Sequence, residues 1–418
     1  MLFGKKKRVA GLDIGSSSVK MVELDGKVGS LNLVSLGFEN LPDNTIIDGQ
    51  IMELNVVSEV IQNICSSNKI KADRVVTGVS GHSVIIKNIV LPPMSEEELE
   101  ESIDWHAEEH IPYDLADVSL DYQVTAAGAD ATQVLIAACK RERIDNIRQA
   151  IQLAGKEPVV IDVDTFALQN CYEVNYQPDP SQVVTLLNIG ASTMNVNIVK
   201  GTRSLFSRDI TVGGSQFTDV IQRNLGLSYQ QAEAVKRGVN SAVQGVDEKS
   251  IEPLMSNVTE IVVMEIQKTF DFYRATTEDT QTVVRKILIS GGGSKLQGLA
   301  QDLSARLDLP VETLDPFRNI KVDTRKFGPD YLSEIMPEMA VAVTVVVPHT
   351  LPPVRATIAV PTGAGVPFSV TVPYTRLGGA ACAVRTMPTI SSTPASAAPV
   401  RITGMDTPPG DHVHPGPR

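Results

Sequence analysis

Positive charge, closely spaced cysteines and long apolar runs are all scarce in this 418-residue sequence. Its 37 Lys and Arg residues stand against 49 Asp and Glu, a net charge of −12, whereas bulk binding of nucleic acid needs a basic face. The four cysteines have no short spacing, which predicts neither a disulfide framework nor a zinc site and fits a reducing cytosol. The strongest apolar run, 339–347, is far shorter than the ~20 residues that span a bilayer. We therefore expect a cytoplasmic protein that has no membrane anchor of its own and binds no nucleic acid.

The common phosphate-binding motifs are also missing. No Walker A sequence occurs, and the glycine cluster at 291–293 does not match G-x-G-x-x-G. The P-loop and Rossmann interpretations therefore lack their motif. A chain of this length suits two or more domains, and its strand and helix patterns alternate as in an α/β protein.

Two similar hairpins stand 175 residues apart in the sequence. The stretch LDIGSSSVKMVELDG begins at Leu12 and LNIGASTMNVNIVKG begins at Leu187, and Leu, Ile, Gly and one Ser recur in step. After each turn the residues alternate with period two, as paired strands do. Two facing turns of this kind could grip one anionic ligand from both sides, so we predict a duplicated domain around a shared site. The alternative is a pair of ordinary glycine-containing hairpins.

The residues of both turns suit phosphate binding. Backbone N–H groups beside small residues, together with Ser and Thr hydroxyls, supply hydrogen-bond donors for phosphate oxygens. Asp13 is a candidate ligand of Mg²⁺, through water, because this ion keeps much of its hydration shell. Lys20, beyond the first turn, is a candidate partner for a β- or γ-phosphate. The other candidates in the two turns are Gly15, Ser16, Ser17, Ser18, Asn188, Gly190, Ser192 and Thr193.

A third candidate element covers residues 284–307. It contains a buried strand, three glycines and then an amphipathic helix. Glycines at a strand-to-helix turn allow a flat base or a ribose to lie against the backbone. We predict that Gly291, Gly292 and Gly293 contact the nucleoside.

The two turns and the glycine loop, at 11–26, 187–201 and 290–298, resemble the nucleotide-binding segments of the actin-like ATPase superfamily. Within it the chain is most similar to the PilM family of type IV pilus assembly proteins, relatives of the division protein FtsA. The resemblance covers about residues 5–343.

This resemblance implies an α/β, actin-like, two-lobed fold with duplicated sheet-and-helix domains and a nucleotide in the cleft between the lobes. The segments 91–124 and 209–238 look specific to the PilM family. The implied domains are 1A (5–82, resuming at 159–179 and 331–343), the inserted 1C (83–158), 2A (180–226), the helical 2B (227–284), 2A continued with the adenosine loop (285–330), and a tail (344–418).

The resemblance also implies ATP or ADP with Mg²⁺ as the bound cofactor. It places Glu233 and Lys236 near the ribose and base, although an exposed charged helix face is the other interpretation. Gly213 and Gly214 would allow domain 2A to approach the phosphates, and Lys295 belongs to the adenosine loop.

One position departs from the superfamily pattern. Actin-like proteins normally begin the second phosphate turn with an acidic residue, and this chain has Asn188 there. A neutral amide is a poor metal ligand or base, and phosphoryl transfer depends mainly on positioning and electrostatics. We therefore expect ATP to be bound and to be hydrolysed slowly or not at all. The catalytic residue stays unassigned; Asp164 is a candidate, with helix capping as the other interpretation.

The function implied by the resemblance is that of a nucleotide-loaded scaffold in pilus assembly. Its expected partner is the cytoplasmic N-terminus of the inner-membrane protein PilN, held in a groove between domains 1A and 1C near Val84–Ile89 and the helix with Trp105. That would place the chain at the inner-membrane pilus complex as a peripheral component, and self-association is also compatible. The alternatives are an FtsA-like, membrane-associated filament protein and a small-molecule kinase of the sugar-kinase and heat-shock ATPase superfamily.

The C-terminal segment has a different composition. Residues 344–418 are rich in proline, with Ala, Thr, Val and Gly between, and show no hydrophobic period. Such a composition predicts a disordered or extended tail. A shifted reading frame and a lineage-specific extension would both produce it.

Overall fold

The computed structural model describes residues 8–27, 29–238, 248–277 and 283–344. Of the predicted tail, 344–418, all but the first residue lies outside the described residues. The strands are β1 (Val9–Ile14), β2 (Ser18–Asp25), β3 (Asn32–Asn40), β4 (Ile46–Ile47), β5 (Gln50–Ile51), β6 (Arg74–Val79), β7 (Val84–Leu91), β8 (Val118–Ala127), β9 (Thr132–Lys140), β10 (Glu157–Val163), β11 (Val183–Ile189), β12 (Met194–Lys200), β13 (Arg203–Ile210), β14 (Val284–Ser290) and β15 (Val311–Thr313). The helices are α1 (Leu54–Ser67), α2 (Glu96–Glu108), α3 (Arg141–Leu153), α4 (Asp164–Tyr176), α5 (Gly214–Leu225), α6 (Tyr229–Lys236), α7 (Glu248–Thr276), α8 (Leu299–Leu307), α9 (Pro329–Ile335) and α10 (Ala340–Thr344), with short 3-10 turns at 115–117, 292–295 and 336–339.

The first large sheet has the strand order β3-β2-β1-β6-β10. Strands β1, β2 and β3 form an antiparallel meander, and β6 and β10 extend it in parallel. Helices α1 and α3 cover one face with apolar residues at helical spacing, among them Val57, Ile61 and Ile147. The other face is covered by α4 and α10, so both faces of the sheet are buried.

The second large sheet repeats this topology, with the order β13-β12-β11-β14-β15. Strands β11, β12 and β13 form the meander, and β14 and β15 add in parallel. Helices α5, α7 and α8 cover its outer face, while α4 and α10 pack on its inner face through residues such as Leu168 and Ala340. The predicted duplication is therefore confirmed, and α4 and α10 lie between the two sheets.

A third, smaller sheet has the order β7-β9-β8 and is antiparallel throughout. Helix α2 begins at a capping box in which Ser95 and Glu98 bond reciprocally, and it buries Leu99 and Ile103 against one face. The opposite face contacts Phe166 of α4. Within the described residues, β7 pairs only with β9, so its other edge is unpaired.

Among the described residues, no helix combines the length and the apolar composition required to cross a bilayer.

Candidate functional site

The first predicted turn joins β1 to β2. The Gly15 N–H donates to the Ser18 carbonyl at 3.0 Å, which closes the turn. Asp13 and Lys20 face each other across the strand pair, and their charged groups are 3.2 Å apart. Burial alone would lower the pKa of Lys20, but the surrounding carboxylates, first of all Asp13, outweigh burial and raise it. Ser18 is buried and Ser17 is exposed, so the side chain of Ser17 points to solvent.

The second turn joins β11 to β12 and is built in the same way. The Gly190 N–H donates to the Thr193 carbonyl at 2.9 Å. Asn188 and Asn195 occupy the positions that Asp13 and Lys20 hold in the first hairpin, and the Asn188 amide donates to the Asn195 oxygen at 3.0 Å. A neutral amide pair thus replaces an ion pair at equivalent positions.

The two turns meet across the cleft between the large sheets. The Ser16 and Ser192 hydroxyl oxygens are 2.5 Å apart, although 176 residues separate them in the sequence. Gly15 and Gly190 therefore lie in turns that contact each other. An anionic ligand between the turns would be within reach of both sets of backbone donors and hydroxyls.

The start of α5 packs directly on the second turn. The Gly214 N–H donates to the Gly190 carbonyl at 2.9 Å, and the Ser215 N–H donates to the Ala191 carbonyl at 2.8 Å. A Cβ on Gly213 would lie 2.5 Å from the Ala191 oxygen, so only glycine allows this approach. The positive end of α5 is consequently fixed beside the turn.

The glycine loop after β14 lies against the second turn as well. Gly291 has φ of +84°, and a Cβ there would be 2.4 Å from the Ile189 carbonyl oxygen. A Cβ on Gly293 would also collide with Ile189. Lys295 pairs with Glu338 at 3.0 Å, and Gly292 lies beside the same carboxylate. The loop is thereby held between the second turn and the segment before α10.

Glu233 and Lys236 of α6 form a close pair, 2.5 Å between charged atoms. The Lys236 ammonium also donates to the Thr218 hydroxyl at 2.9 Å and to the Gly214 carbonyl at 3.3 Å. These bonds tie the pair to the first turn of α5. Both side chains are therefore near the second turn, but their charges are already paired with each other.

Asp164, the first residue of α4, lies on the first-lobe side of the cleft. Burial raises the pKa of its carboxyl to about 7, and the negative charge of Asp13 adds to the rise. A Cβ on Gly78 would fall almost on this carboxylate, so the glycine makes room for it. Asp164 also borders a cavity whose walls are Ile46, Ile51, Ile147 and the Arg143 guanidinium, among other residues.

Several residues of this site were missed by sequence reasoning. The Asn195 amide donates to the Asp209 carboxylate at 2.8 Å, and the Ser290 hydroxyl donates to the Asn188 oxygen at 3.2 Å. The sequence offset that aligns the hairpins also pairs Asn195 with Lys20, which was an available signal. Asp209 begins the family-like segment 209–238, which was a regional signal without a role for its side chain, and Arg143 carried no motif.

Comparison with known proteins identifies the family. The family model for type IV pilus assembly protein PilM matches residues 11–347. A solved PilM–PilN type IV pilus biogenesis complex is 29% identical, with 82% of this chain and 99% of that chain covered and a TM-score of 0.74. Two less similar structures are the ethanolamine utilization protein EutJ of Carboxydothermus hydrogenoformans (12% identity, 81% and 88% covered, TM-score 0.48) and MreB5 of Spiroplasma citri bound to AMPPNP (14%, 74% and 92%, 0.45).

The resemblance found in the sequence is thus confirmed, as is the actin-like α/β fold with its duplicated sheets. The family match extends from the first phosphate turn to the last described helix. This chain belongs to the PilM family of type IV pilus assembly proteins.

Proposed function

We propose that this pilus assembly protein holds ATP or ADP between its two turns and presents a binding surface to PilN. The observation that carries the nucleotide proposal is the contact between Ser16 and Ser192. It brings together two glycine-containing turns, each with hydroxyl side chains and small residues, from the two large sheets. Gly213 and Gly291 allow a helix start and a loop to close on the same place.

The residues present also fit a magnesium ion. Among the described residues there is no cluster of three or more His, Cys, Asp or Glu side chains that could bind a metal by itself. Magnesium bound to nucleotide needs no such cluster, because phosphate oxygens and waters supply most of its ligands. Asp13 would hold the ion through water, and Lys20 beside it would neutralise phosphate charge.

On the nucleoside side, we propose that the loop Gly291–Gly293 supports the base and ribose, with Lys295 at its end. Glu233 and Lys236 would border the ribose from α6. Gly291 and Gly293 lie against Ile189, which leads into the second turn, and Lys236 bonds to Gly214 at the start of α5. The nucleoside would therefore lie on the second-lobe side of the cleft.

We further propose that hydrolysis is slow or absent. Asn188 occupies the position of the usual carboxylate, and both ends of its amide are engaged, by Ser290 and by Asn195. It has neither the charge nor a free group with which to orient a water molecule. Asp164 remains the candidate carboxylate, because a pKa of about 7 makes it a stronger base than an ordinary aspartate while part of it is still deprotonated near neutral pH.

The PilN proposal rests on the solved PilM–PilN complex, in which the matching chain is covered over 99% of its own length and 82% of the length of this chain. We propose that a cytoplasmic segment of PilN binds between domains 1A (5–82) and 1C (83–158). The small cavity beside Arg143 is lined by residues of both segments, among them Ile51 and Ile147. The unpaired edge of β7 could accept an extended strand. Such binding would hold the chain at the inner membrane through its partner.

The nucleotide proposal is tested with Asp13→Ala. Titration with a fluorescent ATP analogue and Mg²⁺ is expected to show binding to the wild-type protein and loss of binding, by at least 100-fold, in the variant. Asp25→Ala is the matched control, because Asp25 is an exposed carboxylate at the other end of the same strand pair. Equal affinity of Asp13→Ala and wild type would contradict the proposed site. PilN is tested separately with a synthetic peptide of its cytoplasmic N-terminus.

A further inference from the structure

The second sheet touches the turn that leads into the small sheet. The Gly81 N–H donates to the Asp209 carboxylate at 2.6 Å, and the His82 Nε2 is 2.7 Å from the Thr211 hydroxyl oxygen. Gly81 and His82 lie between β6 and β7, whereas Asp209 and Thr211 are at the end of β13. These two contacts cross the cleft at a place distinct from the serine contact.

On the second-lobe side, the contacts continue into the nucleotide site. Asp209 accepts from Asn195, Asn195 accepts from Asn188, and Asn188 accepts from Ser290 beside the glycine loop. Through the backbone, Thr211 is only two residues from Gly213, which positions α5 on the second turn. Movement of the second turn would therefore shift the partners of Gly81 and His82.

On the first-lobe side, the same turn borders the cavity. Val79 and Ser80, which directly precede Gly81, line it together with Arg143 and Asp164. His82 is followed within two residues by β7, the strand with the unpaired edge. The turn thus connects both features to which we assign PilN binding.

We propose that the Gly81–Asp209 and His82–Thr211 contacts form a latch through which nucleotide in the cleft changes the affinity of the groove for the PilN segment. This inference rests on the proposed function, since it couples the two sites named there. If nucleotide and the PilN segment both bind more tightly to the latched arrangement, each ligand increases the affinity for the other by the same factor. Hydrogen bonds to a charged acceptor such as Asp209 are strong enough to bias two arrangements.

The experiment measures the dissociation constant of the PilN peptide with and without a non-hydrolysable ATP analogue and Mg²⁺. In the wild-type protein we expect the nucleotide to change the peptide affinity about tenfold, within the usual range of allosteric coupling. Thr211→Val keeps the side-chain shape and removes the hydroxyl, and Asp209→Ala removes the carboxylate. Both are expected to reduce the change to less than threefold. Ser207→Ala, on the same strand, is the matched control and is expected to keep it.

Amide hydrogen exchange supplies a readout that does not depend on the peptide. The nucleotide analogue is expected to slow exchange at Gly81 and His82 in the wild type and not in Asp209→Ala. Independent binding of nucleotide and peptide to the wild type would overturn the latch while leaving the proposed function intact. Full coupling in Thr211→Val and Asp209→Ala would overturn it as well. Failure of either ligand to bind the wild type would refute the proposed function, and the latch with it.

Discussion

The central residue pairs of the two hairpins can be compared by converting one pair into the other. Asp13 and Lys20 form an ion pair at 3.2 Å in the first hairpin, and Asn188 and Asn195 form a hydrogen bond at 3.0 Å in the second. Asn188→Asp converts one partner alone to the first-hairpin type. Adding Asn195→Lys converts both, which tests whether the two sites are physically equivalent.

The cost of Asn188→Asp follows from the surrounding bonds. The substitution removes the donor to the Asn195 oxygen and sets a carboxylate against that oxygen. Asn195 cannot simply turn its amide, because its nitrogen donates to Asp209 at 2.8 Å. Loss of a buried hydrogen bond and the resulting unpaired acceptor are expected to lower the free energy of unfolding by about 1–3 kcal/mol. A lysine at the second position would lie between two carboxylates and restore about 2 kcal/mol of favourable coupling.

The assay is a double-mutant cycle by urea unfolding, with Asn188→Ala as the control that removes the amide without adding charge. We expect the double variant to be clearly more stable than the sum of the single effects predicts. Additive effects would refute the equivalence of the two pairs. ATP turnover, followed by phosphate release, is expected to rise in Asn188→Asp while nucleotide binding persists. Unchanged turnover would show that the missing carboxylate does not explain slow hydrolysis.

Two further substitutions probe the cleft. Gly213→Ala is expected to force α5 away from the second turn and to break its bonds to Gly190 and Ala191. Binding of the ATP analogue should then weaken about 30-fold, equivalent to roughly 2 kcal/mol. Gly328→Ala is the control, because a Cβ there meets no other atom, and wild-type affinity in Gly213→Ala would contradict the packing argument. Because the pKa of Asp164 is raised from 3.8 to about 7, the folded protein keeps a proton that the unfolded chain releases, and this contribution to stability is lost as the pH rises from about 4 to 7. The free energy of unfolding is measured with urea at pH 5 and at pH 7. Asp164→Asn is expected to reduce the loss of stability between these two pH values by on the order of 2 kcal/mol, and an unchanged pH dependence would exclude a raised pKa.

Much of the architecture followed from local patterns. The offset between the hairpins at Leu12 and Leu187 predicted the duplication, because equivalent strands need the same apolar period and turn residues. The capping box of Ser95 and Glu98 at the start of α2 is also a local feature, since both of its bonds are made within one helical turn. The glycines at 291–293 were recognisable as a cluster between a strand and a helix, and Gly291 combines a positive φ with a close backbone approach that a side chain would prevent.

Other parts of the site had no local signal. Asp209 belongs to the site because its carboxylate accepts hydrogen bonds from Asn195 on a neighbouring strand and from Gly81, 128 residues away in the chain. Arg143 borders the cavity only because α3 packs beside the short strands β4 and β5. Asp209 opens the segment 209–238 that resembles the PilM family, but nothing in its spacing gave the side chain a role, and Arg143 stands in no motif.

The sequence by itself thus determined the two hairpins, the glycine loop and the family, since each depends on residue type and spacing along a short segment. Only the tertiary structure decided which side chains meet. Ser16 reaches Ser192 because α4 and α10 fix the two sheets against each other. Asp164 comes under the influence of Asp13 because β10 and β1, which are far apart in the chain, end at the same edge of the first sheet. Contacts of this kind depend on how separate segments pack, and no spacing within either segment records that packing.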